Sequence, residues 1–203
     1  MAIYHCSIRI IGRSKGRSAV AYAAYCSGTK LYDKEVRKAY NYTGQNSVVH
    51  SEIDLPQNAP SEFYDREKLW NAVHEIETRS NAQLAREVEV ALPHEFTRQE
   101  QIDTVREYVM NNFVCKGMCA DWGIHDKEDG NPYAHILLTL RGFKPNGEWA
   151  SKSKTIYVLD ENGEKIPVID SETGEQKLRV RNGKGAEKRW QRETCLLYTS
   201  PSP

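Results

Sequence analysis

The sequence predicts an α+β domain, a largely antiparallel sheet with helices packed on it, followed by a peripheral β-hairpin region. Three observations carry this prediction. Stretches of period-two alternation are interleaved with stretches of helical spacing, in the order β-α-loop-α-β-α-β-β. The last two of those strands are joined by residues 126–132, which contain Asp-Gly-Asn-Pro, a turn signal that makes them antiparallel neighbours. After Ser151 the character changes to short strand-like pieces broken by Gly-Glu corners.

The elements follow in order. Residues 2–11 alternate and are rich in isoleucine, which predicts a first strand. Residues 13–16 form a basic, flexible turn. Residues 18–26 predict a helix of small side chains, with Ala19, Ala21, Ala23 and Ala24, stopped by Gly28. Residues 32–49 are polar, tyrosine-rich and aperiodic, as expected of a long surface loop or short ribbon. Pro60 and Ser61 open a second helix, whose apolar positions Phe63, Leu69, Trp70, Val73 and Ile76 recur at helical spacing. Residues 86–92 alternate as a strand ending at Pro93. Thr97 and Glu100 make a capping-box pattern, and Ile102, Val105, Val109 and Phe113 mark a third helix. Residues 117–125 and 133–141 are the two strands of the hairpin.

The expected organisation is a core over residues 1–150 and a peripheral hairpin region over 151–194. Within the latter, 157–169 and 177–180 are strand-like, and a basic C-terminal helix starts near 185–191. Residues 195–203 fit nothing before them and resemble an in-frame adapter translation, a non-native tail to be left out of fold reasoning.

Bulk properties narrow the class. With 203 residues, 39% hydrophobic and 28% charged, the chain fits a soluble globular protein with a real core. No apolar run approaches the roughly 18 residues of a membrane span, and no signal peptide opens the chain, so a cytoplasmic protein without membrane insertion is expected. The five cysteines, Cys6, Cys26, Cys115, Cys119 and Cys195, lack paired spacing and do not read as a disulfide framework. Net charge is zero, yet residues 1–50 hold eight Lys/Arg against two Asp/Glu, and residues 51–100 hold five against eleven. Phosphate binding responds to such local surpluses and not to the chain sum.

Four constellations carry chemistry. Tyr133 and His135 lie two apart on a strand and share a face, and the turn at 126–132 folds His125 back toward them. Two convergent imidazoles suit a divalent metal with open positions, or are simply two satisfied hairpin histidines. Glu87 and Glu89 share a face of their own strand, either toward solvent or toward those histidines, where they would add a ligand or hold an imidazole by its second nitrogen. Tyr22 and Tyr25 lie three apart on the small-residue helix. A tyrosine hydroxyl, with pKa near ~10, attacks phosphate poorly until its phenolate is stabilised. Arg13, Lys15 and Arg17 stand nearby as candidate contacts to a DNA backbone.

These pieces resemble a family. Residues 2–5 (Ala-Ile-Tyr-His) and 13–28 resemble the first motif of the MobA/MobL relaxases, the MOBQ class. Arg-Glu-Val-Glu-Val-Ala-Leu-Pro at 86–93 is similar to their second motif, and Ile-His-Asp-Lys-Glu-Asp-Gly-Asn-Pro-Tyr-Ala-His-Ile-Leu-Leu-Thr at 124–139 to their histidine motif. The resemblance covers about residues 1–150 and continues more weakly to Trp190. It implies an HUH-type fold with a five-stranded antiparallel sheet. It also implies that Tyr25 attacks a scissile phosphate in single-stranded DNA at a plasmid transfer origin and stays joined to the 5′ phosphate. Mg²⁺ or Mn²⁺ would be held by His125 and His135, and accessory mobilisation proteins and a coupling protein would be partners. One departure stands out: the family usually has histidine at the third ligand position, where this chain has Tyr133. Either Glu87, Glu89 or water completes the shell, or metal affinity has fallen, or this copy is inactive; weakened but present activity is expected. Two other readings remain, a rolling-circle replication initiator or transposase using the same chemistry, and an origin-binding module that does not cut. The order Tyr25 before His125 favours the relaxase over the initiator. A two-histidine phosphoesterase fails, because neither His125 nor His135 is followed by the required x-Ser/Thr.

Overall fold

A computed structural model describes residues 5–45, 47–127, 130–181 and 184–196, and the chain divides between Ala150 and Ser151 into two compact units. The start of the first expected strand, at residues 2–4, lies outside the described residues, as does the expected tail from residue 197 onward.

In the first unit, β1 (Cys6–Gly12), β4 (Val48–Asp54), β5 (Gln83–Ala91), β6 (Ala120–His125) and β7 (Tyr133–Leu138) form one sheet in the order β1-β5-β7-β6-β4, with every pairing antiparallel. Between them lie α1 (Ala19–Ser27), a small ribbon of β2 (Lys30–Asp33) and β3 (Lys38–Asn41), α2 (Arg66–Ile76) and α3 (Arg98–Asn112). The fold is the expected α+β, five-stranded antiparallel one.

Because side chains alternate along a strand, the sheet divides its residues between two cores. Val88, Trp122, Ile124, Ala134, Ile136 and Leu138 face α3, whose Val105 and Val109 pack on them with Phe113. Ile11, Ala85 and Leu137 face the other way, under Ala19, Val20, Ala23 and Ala24 of α1 and Leu69, Trp70 and Val73 of α2. Each helix has a local cause. Ser18 caps α1 by accepting from the Ala21 N–H at 3.1 Å, and Gly28 ends it at φ 64°. Thr97 and Glu100 form the expected reciprocal capping box of α3. α2 is tied to the sheet through Asp121, buried on β6, which accepts from Trp70 Nε1 at 2.9 Å and Arg66 Nε at 2.8 Å.

Three details differ from expectation. The second helix does not begin at Pro60; Ser61–Tyr64 form a 3-10 turn, and the α-helix starts after Asp65, whose extended backbone and carboxylate cap Glu67 and Lys68. β4 was not expected at all. Its sequence Val-Val-His-Ser-Glu-Ile-Asp reads as polar, because its polar side chains find partners rather than solvent: Glu52 accepts from Arg106 of α3 at 2.9 and 2.7 Å, and Asp54 from Trp122 Nε1 at 2.8 Å.

The third correction lies in the second unit. There β8 (Ser153–Tyr157) pairs with β11 (Arg192–Leu196), and β9 (Leu178–Arg181) with β10 (Lys184–Lys188). The basic helix expected at 185–191 is therefore a strand and its extension. Arg189 N–H donates to Lys177 O, and Gln191 N–H to Ile166 O, so neighbouring chain segments claim the backbone groups a helix would have used. The corners at 161–164 and 172–175 turn on Gly163 and Gly174, at φ 80° and 73°. Cys195 and Leu196, assigned from sequence to the tail, pair backbone to backbone with β8.

Candidate active site

The site lies where α1 ends on the sheet. Gly123 on β6 stands beneath that end, and a Cβ built there would sit 2.1 Å from Cys26 O. Only glycine lets the helix terminus come down this far. His125, one pleat along, donates its Nε2–H to the same Cys26 carbonyl at 3.0 Å, since a carbonyl only accepts. That bond fixes the tautomer and leaves the Nδ1 lone pair open. Burial holds His125 below the ordinary imidazole range, so the neutral ring is favoured.

With the helix end pinned, Tyr25 is held over the histidines. Its ring centroid is 5.2 Å from that of His125 and 5.7 Å from that of His135, and the two imidazoles are 4.7 Å apart. Tyr42, at the end of the β2–β3 ribbon, meets Tyr25 edge-on at 5.7 Å. Desolvation pushes the Tyr25 hydroxyl above its ordinary value, with Cys26, Glu87 and Glu89 adding in the same direction, while a hydrogen bond from Gln45 opposes them. Tyr22, three residues earlier, is half-buried against the core beneath α1 and α2.

Glu87 and Glu89 face the histidines. His135 sits opposite Glu89 in the register, with Glu87 Oε1 at 3.2 Å and Glu89 Oε2 at 3.6 Å from its Nδ1. Glu87 is 1% exposed, and its Oε2 has no hydrogen-bond partner among the described residues, the guanidinium of Arg9 standing 3.8 Å off. A buried carboxylate oxygen without a hydrogen bond costs free energy that one long ion pair to a half-exposed arginine offsets only in part. Nitrogen donors from two imidazoles and a hard oxygen are a donor set that fits Mg²⁺ or Mn²⁺. The residues therefore suit the cation implied by the resemblance.

Tyr133 does share the face of His135, directly across from His125, but its ring meets His5 edge-on at 6.1 Å. Glu89, in turn, accepts from His5 Nε2 and Arg9 at 3.2 Å each. Arg13 is not available to phosphate. Its guanidinium donates to His74 O and Glu77 O at the end of α2, and pairs with Glu35. Lys15 and Arg17 are exposed, near the start of α1. With 1.5 Å of rise per residue, Ala19 at the start of α1 is already roughly 9 Å along the helix from Tyr25, and Arg17 precedes it. Sequence reading missed Cys26, Gln45, His5 and Arg9. Cys26 alone carried a local signal, its adjacency to Tyr25.

The sequence profile of the MobA/MobL family matches residues 17–198. The chain is 38% identical over 200 residues to a probable mobilization protein MobA of Bifidobacterium longum, covering 97% of this chain and 35% of that protein. It is 40% identical over 177 residues to a conjugal transfer protein TraA of Agrobacterium fabrum, covering 82% and 16% respectively. The chain thus spans only a minor part of either relative. A solved structure described as the molecular basis of vancomycin resistance transfer in Staphylococcus aureus matches with a TM-score of 0.71 and 38% identity, over 74% of this chain and 77% of that one.

Proposed function

We propose, on the premise that this chain belongs to the MobA/MobL family, that it is a relaxase core that nicks single-stranded DNA at a transfer origin through Tyr25. The observation that carries the proposal is the placement of Tyr25 within 5.2 and 5.7 Å of two buried imidazoles, beside the buried Glu87 carboxylate, one of whose oxygens makes no hydrogen bond among the described residues.

In this reading the Tyr25 oxygen forms a bond to phosphorus as the bond from phosphorus to the 3′ oxygen breaks. The phenol proton leaves to solvent, and the departing 3′ oxygen takes one up. The products are a 5′-phosphotyrosine and a free 3′ hydroxyl, and the step reverses when that hydroxyl attacks the phosphotyrosine. A divalent cation, Mg²⁺ or Mn²⁺, held by His125, His135 and Glu87 would polarise the scissile phosphate and offset the negative field under the phenol. The chain's own residues supply the positioning. Gly123 and the His125–Cys26 bond hold the end of α1 in place, Glu87 fixes the orientation of His135, Gln45 favours the phenolate, and Tyr42 restricts the Tyr25 ring. Exposed Lys15 and Arg17 would meet backbone phosphates away from the scissile bond. Accessory mobilisation proteins and a coupling protein are the partners such a role calls for.

The test is incubation with single-stranded transfer-origin oligonucleotides and Mn²⁺, followed by a denaturing gel, wild type beside Tyr25→Phe. A covalent adduct that disappears in Tyr25→Phe supports the proposal. Tyr133 at the third ligand position favours a second reading, an origin-binding module without cleavage. DNA retention in a native gel, with no adduct in either protein, would establish that reading instead.

A further inference from the structure

The pinned end of α1 brings a third kind of donor to the site. Cys26 is fully buried, and its Sγ, a Glu87 carboxylate oxygen and a His135 ring nitrogen all lie within 4.8 Å of one another. Ligand atoms around a tetrahedral Zn²⁺, with bonds of about 2.0–2.3 Å, stand roughly 3.3–3.8 Å apart, so about 1 Å of side-chain movement closes the set. The cluster is more than a cysteine near charged groups. Glu87 Oε2 is buried and makes no hydrogen bond among the described residues, its ion pair to the half-exposed Arg9 being long at 3.8 Å, and the position of Cys26 is set by the contact of its own carbonyl with Gly123 and His125.

Sulfur separates two classes of cation. Mg²⁺ and Mn²⁺ prefer oxygen and imidazole nitrogen, and a thiol adds little for them. Zn²⁺ and Cd²⁺ bind thiolate strongly, with the thiol proton passing to solvent as the metal–sulfur bond forms. We propose that Cys26, Glu87 and His135 form a buried site for one thiophilic divalent cation, of the Zn²⁺ class, that cannot be filled together with the hard-cation site using the same Glu87 and His135. The ion would be a competitor: it draws Glu87 and His135 toward sulfur and away from the phenol. The exclusion of a hard cation, the competition and the Mn²⁺ release below rest on the proposed nicking site; the thiophilic site itself, read by the Cd²⁺ band, does not.

The test uses the full chain with Cys6, Cys115 and Cys195 replaced by serine, so that Cys26 and the buried Cys119 are the thiols left. Cd²⁺ alone is titrated without DNA, following the ultraviolet sulfur-to-cadmium charge-transfer band. The expected result is a band saturating at one Cd²⁺ per chain, absent in Cys26→Ala and at least about tenfold weaker in apparent affinity in Glu87→Gln. The same Cd²⁺ should release bound Mn²⁺, read by electron paramagnetic resonance, from the parent but not from Cys26→Ala. A band that survives Cys26→Ala, or an affinity unchanged in Glu87→Gln, would overturn the proposal. If Cys26→Ala fails to fold by circular dichroism, Glu87→Gln, which keeps the thiol, decides. Because no DNA is present, failure of the nicking assay cannot be mistaken for failure here.

Discussion

Where α3 covers the sheet, the strands present Val88, Trp122, Ile124, Ala134, Ile136 and Leu138, none more than 1% exposed and none charged. On the reverse of the same strands, Glu87, His125 and His135 are buried almost as deeply, at 1%, 5% and 8%. A single residue of offset separates Val88 from Glu87 and Ile136 from His135. The alternation of the β-strand thus leaves the α3 face to cohesion, while the α1 side holds the chemistry beside a second apolar core around Ile11, Ala85 and Leu137. Apolar burial on the α3 side, at about 25 cal/mol per Å², gives the fold a margin against the cost of holding charged and ionisable groups on the α1 side.

Substitutions on each face should separate these roles. The largest effect expected is from Trp122→Ala, which empties the centre of the α3 face and should lower unfolding free energy in urea by about 3–5 kcal/mol. The fraction still folded should bind Mn²⁺ with unchanged affinity, since Trp122 points away from the site. Gly123→Ala attacks the other face. Its Cβ would overlap Cys26 O, so a stability loss of about 1–3 kcal/mol should come with a disproportionate loss of the Tyr25 adduct, measured per folded molecule. Tyr133→His is a gain: a third imidazole beside His125 should tighten Mn²⁺ in a calorimetric titration by about tenfold, the order of a single supporting group at a metal site.

The smallest effect belongs to the edge of the α3 face. Hydrogen bonds from Arg106, with His50 adding, hold the Glu52 carboxyl below its ordinary value near 4.5. A carboxylate with a lowered folded-state pKa stabilises the fold above its ordinary value, and loses that contribution as pH falls through the lowered one. Wild type should therefore exceed Glu52→Gln by about 1 kcal/mol or less, the pair being partly exposed. The difference should be flat above pH 4.5 and shrink below it in urea melts at stepped pH.

Much of this was legible in the residues. α1, α3 and the β6–β7 hairpin announced themselves through caps, a Gly stop and Asp-Gly-Asn-Pro, all of which act within a few residues. The shared face of Tyr133 and His135 followed from strand periodicity, as did that of Glu87 and Glu89, and the turn at 126–132 brought His125 back toward them. What periodicity could not settle was which side of the sheet the glutamates take relative to the histidines, because that depends on the β5–β7 register. β4 stayed hidden for the same reason: His50, Glu52 and Asp54 look solvated until α3 and Trp122 supply their partners. Arg13 looked like a phosphate contact until the end of α2 claimed its donors. The strand at Lys184–Lys188 reads as a helix start because its pairing partner is set by tertiary context, which overrides local propensity.

The most direct measurement is a Mn²⁺ titration of wild type and Glu87→Gln, with urea unfolding of both metal-free proteins alongside. If the buried carboxylate is there for a cation, Glu87→Gln should lose Mn²⁺ affinity by at least about tenfold while its metal-free stability stays equal, because the amide keeps a hydrogen bond to His135 and the long ion pair to half-exposed Arg9 contributes little. If instead Glu87→Gln binds Mn²⁺ as wild type does and is less stable without metal, Glu87 serves the fold through His135, and the reading of this face as a cation site is contradicted.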